Sequence, residues 1–242
     1  MPALRIRFTS ISIVLAIAAL TTASLADDPA KSPAAKSSEE SPKADKDGWK
    51  PLFNGKDLTD WKSTNFGGEG EVYVENGDVV ITPGVDLSGI TSTRRDIPKS
   101  NYEIEFEAQR AEGNDFFAGL TFPVKDEFCS LILGGWGGGV CGLSSLDRLD
   151  ASENDTTSYR SFTRGQWYKV RLKVTDDRID AWIDDMQIVD VELKNYSRIS
   201  VRFEVERSQP LGFATYQTTA RIRNARMRVL PKDEPTPQPS EK

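Results

Sequence analysis

The feature that most constrains the fold of this chain is a strict two-residue alternation of apolar and polar side chains. Between residues 101 and 110 the two kinds alternate without interruption: Tyr102, Ile104, Phe106 and Ala108 against Glu103, Glu105, Glu107 and Gln109. Because successive side chains of a strand point to opposite faces, this period predicts strands with one apolar and one polar face. The same pattern recurs in residues 167–175, 178–184 and 200–207.

The fold that this pattern favours is all-β. Strands with one apolar face become stable when two sheets press those faces together, so we predict a two-sheet antiparallel β-sandwich. We expect Phe106, Leu172, Ile183 and Phe203 in its core, where burial of each side chain contributes about 1.5–3 kcal/mol. No segment shows the periodicity of an amphipathic helix of three turns.

A glycine-rich loop interrupts the strands in the middle of the chain. Residues 134–139 read Gly-Gly-Trp-Gly-Gly-Gly and lie between the strand-forming runs 128–133 and 140–144. Glycine adopts positive φ without strain, so these residues predict a tight hairpin that holds Trp136 at its tip.

The two cysteines of the chain flank this loop. Cys129 and Cys141 are symmetric about Gly135, so pairing centred on that residue places them opposite each other. Opposed residues in a non-hydrogen-bonded pair have Cα atoms about 4.5 Å apart, within the range of a disulfide. We therefore predict a Cys129–Cys141 disulfide, the alternative being two unrelated buried thiols.

The two ends of the chain differ in composition from its middle. Residues 1–26 have a basic start, an apolar run and a small-x-small end, the features of a secretory signal peptide. Residues 27–47 and 231–242 are rich in Pro, Ser, Lys and Glu, which favours disorder. This leaves residues 48–230 as one sandwich domain, which we expect to be secreted, periplasmic or in the cell envelope.

The net charge and the absence of histidine argue against several kinds of partner and catalytic site. The formal net charge is −6, which makes nucleic acid or an anionic membrane a poor partner for the chain as a whole. The chain contains no His, the usual neutral-pH general base and the commonest zinc ligand. Any catalysis must therefore use other groups, and a Ser-His-Asp arrangement is excluded.

Three stretches of the chain resemble a known family. Residues 48–61 read GWKPLFNGKDLTDW, residues 222–230 read IRNARMRVL, and residues 164–190 contain a Trp-bearing strand pair. They resemble the 3-keto-disaccharide hydrolase domain family, and the resemblance implies a concanavalin A-like jelly roll. Many members have a histidine near the penultimate strand, where this chain reads ATYQTT at residues 214–219.

The resemblance also implies a reaction. A ketone at C3 of a sugar acidifies the proton at C2, so that a base removes it and the group at C1 departs. Without histidine the base would be a carboxylate, and an Arg, a Lys or a cation would stabilise the enolate. The candidates are Glu103, Glu105, Glu204 and Arg202, on polar faces that we expect to be adjacent. The alternative is an outer face with weak cross-strand ion pairs.

Trp136 and the loop after it are the candidate substrate-binding residues. An exposed tryptophan stacks well on the apolar face of a sugar ring, although it can also fold back onto the sandwich edge. This loop, residues 147–155, supplies Asp150, Glu153 and Asn154 for sugar hydroxyls. No cofactor is expected, but the oxygens of this loop also suit Ca²⁺, the alternative being a solvated acidic loop.

Three functions remain open from the sequence. The first is an exported carbohydrate-active domain that hydrolyses glycosidic bonds of 3-keto-disaccharides. The second is a non-catalytic, lectin-like module that binds glycans, and the third is a structural protein of the envelope or matrix. The expected partner is a carbohydrate, with no nucleic acid and no membrane insertion after signal cleavage.

Overall fold

The computed structural model describes residues 44–231, and in this range the chain is almost entirely β-structure. Two antiparallel sheets, one of eight strands and one of seven, pack face to face as a β-sandwich. The predicted fold class is confirmed. The predicted signal peptide, most of the linker and most of the C-terminal tail lie outside the described residues.

Fifteen strands form the two sheets. Their bounds are β1 Lys50–Pro51, β2 Trp61–Ser63, β3 Val72–Glu75, β4 Asp78–Ile81, β5 Leu87–Ser92, β6 Tyr102–Glu112, β7 Ala118–Val124, β8 Glu127–Gly135, β9 Val140–Ser144, β10 Ser158–Tyr159, β11 Trp167–Val174, β12 Arg178–Ile183, β13 Met186–Glu192, β14 Gly212–Tyr216 and β15 Thr219–Val229. Two 3-10 helices, Leu193–Asn195 and Phe203–Ser208, are the helices of the described chain, and none of its helices is long and apolar enough to cross a membrane.

The order of strands places the first and last strands in one sheet and the glycine hairpin in the other. The eight-stranded sheet has the order β13-β12-β11-β6-β15-β4-β3, with β1 also paired to β15. The seven-stranded sheet has the order β10-β9-β8-β7-β14-β5-β2. The glycine hairpin, which joins β8 to β9, therefore belongs to the seven-stranded sheet.

The core lies between the inner faces of the sheets, as the alternation predicts. Phe106 of β6 meets Phe213 of β14 edge to face, with ring centroids 5.0 Å apart, so this pair joins the two sheets. Phe106, Leu172 and Ile183 are buried, which confirms these three core predictions.

The prediction of a strand over residues 200–207 is wrong. Residues 203–208 form a 3-10 helix, and Phe203, expected in the core, is 85% exposed. The helix lies over β5 and β14, which already pair with each other and with β2 and β7, so no free edge remains for another strand. Gly212 of β14 permits this close packing, because a Cβ there would lie 2.6 Å from the Ser208 carbonyl oxygen.

The predicted disulfide is also wrong, since both cysteines are buried free thiols. Cys141 lies opposite Leu133, whereas Cys129 pairs with Phe122 on the other side of β8. The hairpin turns two residues later than the symmetry about Gly135 assumes, and a bulge between Leu133 and Gly135 shifts the register. Burial raises the pKa of Cys129 to about 12 and that of Cys141 to about 11.

Candidate functional site

A cleft of 610 Å³ opens on the outer face of the seven-stranded sheet. Five aromatic side chains line it, and we call it the aromatic cleft: Phe66, Phe116, Trp136, Phe203 and Tyr216. Its charged lining residues are Asp86, Asp115, Arg202, Glu204 and Arg207. Concave sites with apolar walls and a few polar groups are the usual form of small-ligand sites.

Trp136 stands at the tip of the glycine hairpin, as predicted, and is 42% exposed. Its own φ is 48°, and Gly134 and Gly137 also have positive φ values of 72° and 85°. Two side chains from outside the hairpin hold it in place. The Asp115 carboxylate accepts a hydrogen bond of 2.9 Å from the Gly137 amide.

The second of these side chains is that of Arg110, a residue that is only 6% exposed. Its Nη2 donates to the carbonyl oxygens of Gly134 at 3.1 Å and Gly138 at 2.8 Å, on either side of Trp136. The guanidinium also stacks over Phe117, 5.1 Å from the ring centroid. A larger residue at Gly134 would displace this guanidinium, because a Cβ there would lie 2.3 Å from Nη2.

One wall of the cleft is an ionic cluster around Arg202. Its Nη1 donates to Asp150 at 2.8 Å, and its Nη2 donates to Glu204 at 3.0 Å. The guanidinium carbon lies 6.0 Å from the ring centroid of Trp136. The bond to Glu204 raises the pKa of Arg202, and the same bond lowers the pKa of Glu204. Both groups therefore keep their charges at neutral pH.

The floor of the cleft contains a stacked aromatic pair, Phe116 and Tyr216, with centroids 6.2 Å apart. The Tyr216 hydroxyl donates to Asp86 at 3.3 Å. The charge of Asp86 raises the pKa of Tyr216, so this hydroxyl stays protonated beyond its ordinary value of 10.0. Tyr216 ends the penultimate strand, within the segment where the resemblance leads one to expect a histidine.

Sequence reasoning missed Asp86, Phe116 and Tyr216. The one available signal was the phase of β14, in which Leu211 and Phe213 are buried in the core and Tyr216 belongs to the alternate set. Asp86 and Phe116 stand just before strands, where alternation has not yet begun.

Glu103 and Glu105 lie on the other sheet, so the prediction that they approach Arg202 is wrong. They project from the outer face of β6 and form ion pairs with β15, Glu103 with Arg228 at 2.7 Å and Glu105 with Arg226 at 2.7 Å. Glu107 pairs with Arg223 in the same way. We call these three pairs the Glu–Arg ladder.

The acidic loop after β9 has a mixed role. Asp150 reaches the aromatic cleft through Arg202 and also accepts bonds from the hydroxyls of Ser144 and Ser145. Asn154 is buried and its amide donates to three backbone carbonyls, so it holds the loop together. Glu153 is exposed on the surface of the loop.

The oxygens considered for Ca²⁺ point to separate partners. Asp147 accepts bonds from Ser197 and the Arg198 amide, while Asp155 accepts a bond from Tyr196. In the part of the chain that the structure describes, no three His, Cys, Asp or Glu side chains are grouped so as to hold a metal ion.

The fold and the site define the class as a two-sheet antiparallel β-sandwich with an aromatic cleft on the outer face of one sheet. The family model of the 3-keto-alpha-glucoside-1,2-lyase-like domain matches residues 48–228. This chain therefore belongs to that family, as the three resembling stretches predicted. No curated protein matches the chain closely enough to count as a relative.

Two solved structures are similar to this chain at low sequence identity. A candidate glycosyl hydrolase from Parabacteroides distasonis is 14% identical, with a TM-score of 0.50 over 76% of this chain and 95% of its own. Carbohydrate binding module CBM66 from Bacillus subtilis is 16% identical, with a TM-score of 0.43 over 71% of this chain and 96% of its own. At these identities the similarity concerns the fold alone.

Proposed function

We propose that this domain binds a saccharide in the aromatic cleft. The observation that supports this best is the position of Trp136, which is exposed on a clamped hairpin beside the Arg202 cluster. A rigid aromatic ring offers a sugar a large contact area and loses little entropy on binding. The charged groups beside it supply hydrogen-bond partners for the hydroxyls of the sugar.

A glycan array probed with the full chain and with Trp136→Ala tests the proposal. We expect the wild type to bind at least one glycan and the variant to lose most of that signal. Trp167→Ala serves as the matched control, since Trp167 lies under Arg223 on the opposite sheet. Equal binding by Trp136→Ala and the wild type would refute saccharide binding at this cleft.

The second candidate function is cleavage of a 3-keto-glycoside at the same place, which membership of the lyase-like family favours. A base takes the C2 proton, and the electron pair passes through the enolate to form a C1–C2 double bond. The C1–O bond breaks, and its electrons leave on the oxygen of the departing group, which then gains a proton. Addition of water to the double bond completes the hydrolysis.

The specific observation behind this candidate is the Asp86–Tyr216 pair. Asp86 is an exposed carboxylate in the cleft and serves as the base, because the carboxylate of Glu204 is held by Arg202 and that of Asp115 by the amides of Phe116 and Gly137. The Tyr216 hydroxyl, kept protonated by Asp86, donates to the departing oxygen. The Arg202 guanidinium faces the enolate oxygen.

Incubation with 3-keto-trehalose separates binding from cleavage. We expect the wild type to release glucose, and Asp86→Asn to bind the sugar but release none. Asp185→Asn, an exposed carboxylate in the β12–β13 turn, is the control. Binding without any release by the wild type would leave the first function standing and refute the second.

A further inference from the structure

A second cleft lies on the same outer face of the seven-stranded sheet, beyond the 3-10 helix Phe203–Ser208. It has a volume of 610 Å³ and we call it the basic cleft, because it is lined by Lys62, Arg94, Arg95, Lys99 and Lys125. Asp126 is the single carboxylate in that lining. In a chain with a formal net charge of −6, such a concentration of cations stands apart.

Three of these cations have no partner within residues 44–231. Arg94 is held by Asp96 through bonds of 2.9 and 2.8 Å, and Lys99 is paired with Asp126 at 2.7 Å. Lys62, Arg95 and Lys125 are exposed and form neither a side-chain hydrogen bond nor an ion pair in that range. Their positive charges are therefore available to a ligand.

The backbone brings these three residues together from separate parts of the chain. Lys62 is on β2, in register with Thr91 of β5, and Arg95 follows shortly after that strand. Lys125 is in the β7–β8 turn, where its amide donates to the Lys99 carbonyl at 2.7 Å. The cations are thus fixed around one cleft by sheet pairing and a loop contact.

The lining of the basic cleft also includes apolar side chains. Ile97, Pro123, Phe128 and Pro210 contribute to its lining. Apolar side chains beside exposed cations complement a sugar ring that has anionic substituents. Arginine is especially suited to sulfate, phosphate and carboxylate groups, because its planar fork of donors matches their oxygens.

We propose that the basic cleft binds the anionic substituents of a saccharide, either sulfate esters or carboxylates. The choice of a saccharide rests on the proposed function, whereas the anion site rests on the charges alone. Leu87 lines the aromatic cleft and Ser92 the basic cleft, so about 16 Å of strand separates them at about 3.3 Å per residue. The two clefts are thus neighbours on one face.

Calorimetry with the full chain tests this proposal. The probes are an oligogalacturonate, a sulfated galactan oligosaccharide, a neutral malto-oligosaccharide, inorganic polyphosphate and vesicles containing an anionic phospholipid. We expect at least one anionic saccharide to bind about tenfold more tightly than the neutral one, and added salt to weaken it. The tighter of the two identifies the anionic group.

The decisive variant combines Lys62→Ser, Arg95→Ser and Lys125→Asn, the asparagine being chosen because Lys125 has a φ of 55°. Its matched control combines Lys46→Ser, Lys169→Ser and Arg148→Asn, which removes equal charge from other surfaces. We expect the cleft variant to lose about tenfold in affinity for the anionic saccharide and the control to lose less than about twofold. Circular dichroism checks that both remain folded.

Three outcomes overturn the proposal: equal loss in the two variants, no binding of either anionic saccharide, or tighter binding of polyphosphate or the vesicles than of both. Its failure is distinguishable from failure of the proposed function. Trp136→Ala reports on the aromatic cleft with the neutral probe, whereas the cleft variant reports on anionic probes.

Discussion

The outer faces of the two sheets are both polar in sequence, yet they differ in how their charges are used. On the eight-stranded sheet each glutamate of the Glu–Arg ladder is paired with an arginine of β15. Tryptophans lie beneath these arginines, as Trp49 does with Arg226 at 4.5 Å from the ring centroid. The eight-stranded sheet also has a cleft, of 680 Å³, but its charged lining includes Glu105, Glu107 and Arg226, which the ladder pairs. The two clefts of the seven-stranded sheet instead contain exposed aromatic rings and cations without a partner in the described residues.

This difference shows that a polar strand face is not by itself evidence of a site. Charges that satisfy one another across a sheet stabilise it modestly and leave few free groups for a ligand. The aromatic cleft forms where the 3-10 helix and the glycine hairpin rise from the surface of the seven-stranded sheet. We therefore assign ligand binding to the seven-stranded sheet and a structural role to the ladder.

The largest effect is expected at Arg110, which fixes the hairpin of the seven-stranded sheet. Arg110→Met leaves the Gly134 and Gly138 carbonyls without this donor, and we expect a loss of about 3 kcal/mol in the free energy of unfolding. Urea unfolding measures it. Arg164→Met, at an exposed arginine, should change stability by less than about 0.5 kcal/mol. Equal losses of stability in the two variants would contradict the role of Arg110 in holding the hairpin.

The second prediction compares one tryptophan from each face. Trp136→Ala should reduce saccharide affinity by at least about tenfold with little change in stability, because the ring is exposed. Trp167→Ala should do the reverse, since this ring packs under Arg223, 3.9 Å from its guanidinium carbon. Calorimetric titration and urea unfolding of both variants check the contrast. A loss of saccharide affinity in Trp167→Ala would place saccharide binding on the eight-stranded sheet, contrary to our assignment.

Part of this difference between the two faces could be predicted from the sequence. Alternation was enough to predict a two-sheet sandwich and the core residues Phe106, Leu172 and Ile183, and the glycine run was enough to place Trp136 at a hairpin tip. It was not enough to define which strands are neighbours. Glu105 lies beside Arg226 because β6 pairs with β15 across more than a hundred residues of chain, and no local pattern encodes that choice.

The prediction of a strand over residues 200–207 was wrong for a related reason. Its alternation is as clean as that of β6, but every edge near it is already paired, so it folds as a 3-10 helix over the sheet. That departure is what builds one wall of the aromatic cleft. Tertiary competition for strand edges, rather than local propensity, thus decided where the candidate site lies.

A smaller effect is expected within the ladder. Glu105→Gln weakens one ion pair with Arg226, and we expect stability to fall by about 0.5–1 kcal/mol with no change in saccharide affinity. Thermal unfolding and calorimetric titration measure the two quantities. A large loss of binding or of catalysis in this variant would mean that the outer face of the eight-stranded sheet holds the reacting groups.

The smallest effect concerns pH. The bond from Arg202 lowers the folded-state pKa of Glu204 below its ordinary value of 4.5. The ion pair therefore stabilises the folded protein fully above pH 4.5, and this contribution is lost as the pH falls through the folded-state pKa. Saccharide affinity should therefore stay constant from pH 8 to about 5 and decline only under more acidic conditions. Titrations across this range check it. In Glu204→Gln the acidic decline should be reduced.

Hydrogen–deuterium exchange of the full chain, with and without a saccharide identified on the array, tests the central claim most directly. Our account predicts slower exchange in residues 134–139 and 203–208, which border the aromatic cleft. Residues 45–51 and 222–228, beside the Glu–Arg ladder, should exchange at unchanged rates. Protection confined to residues 45–51 and 222–228 would place the ligand on the eight-stranded sheet and contradict this assignment.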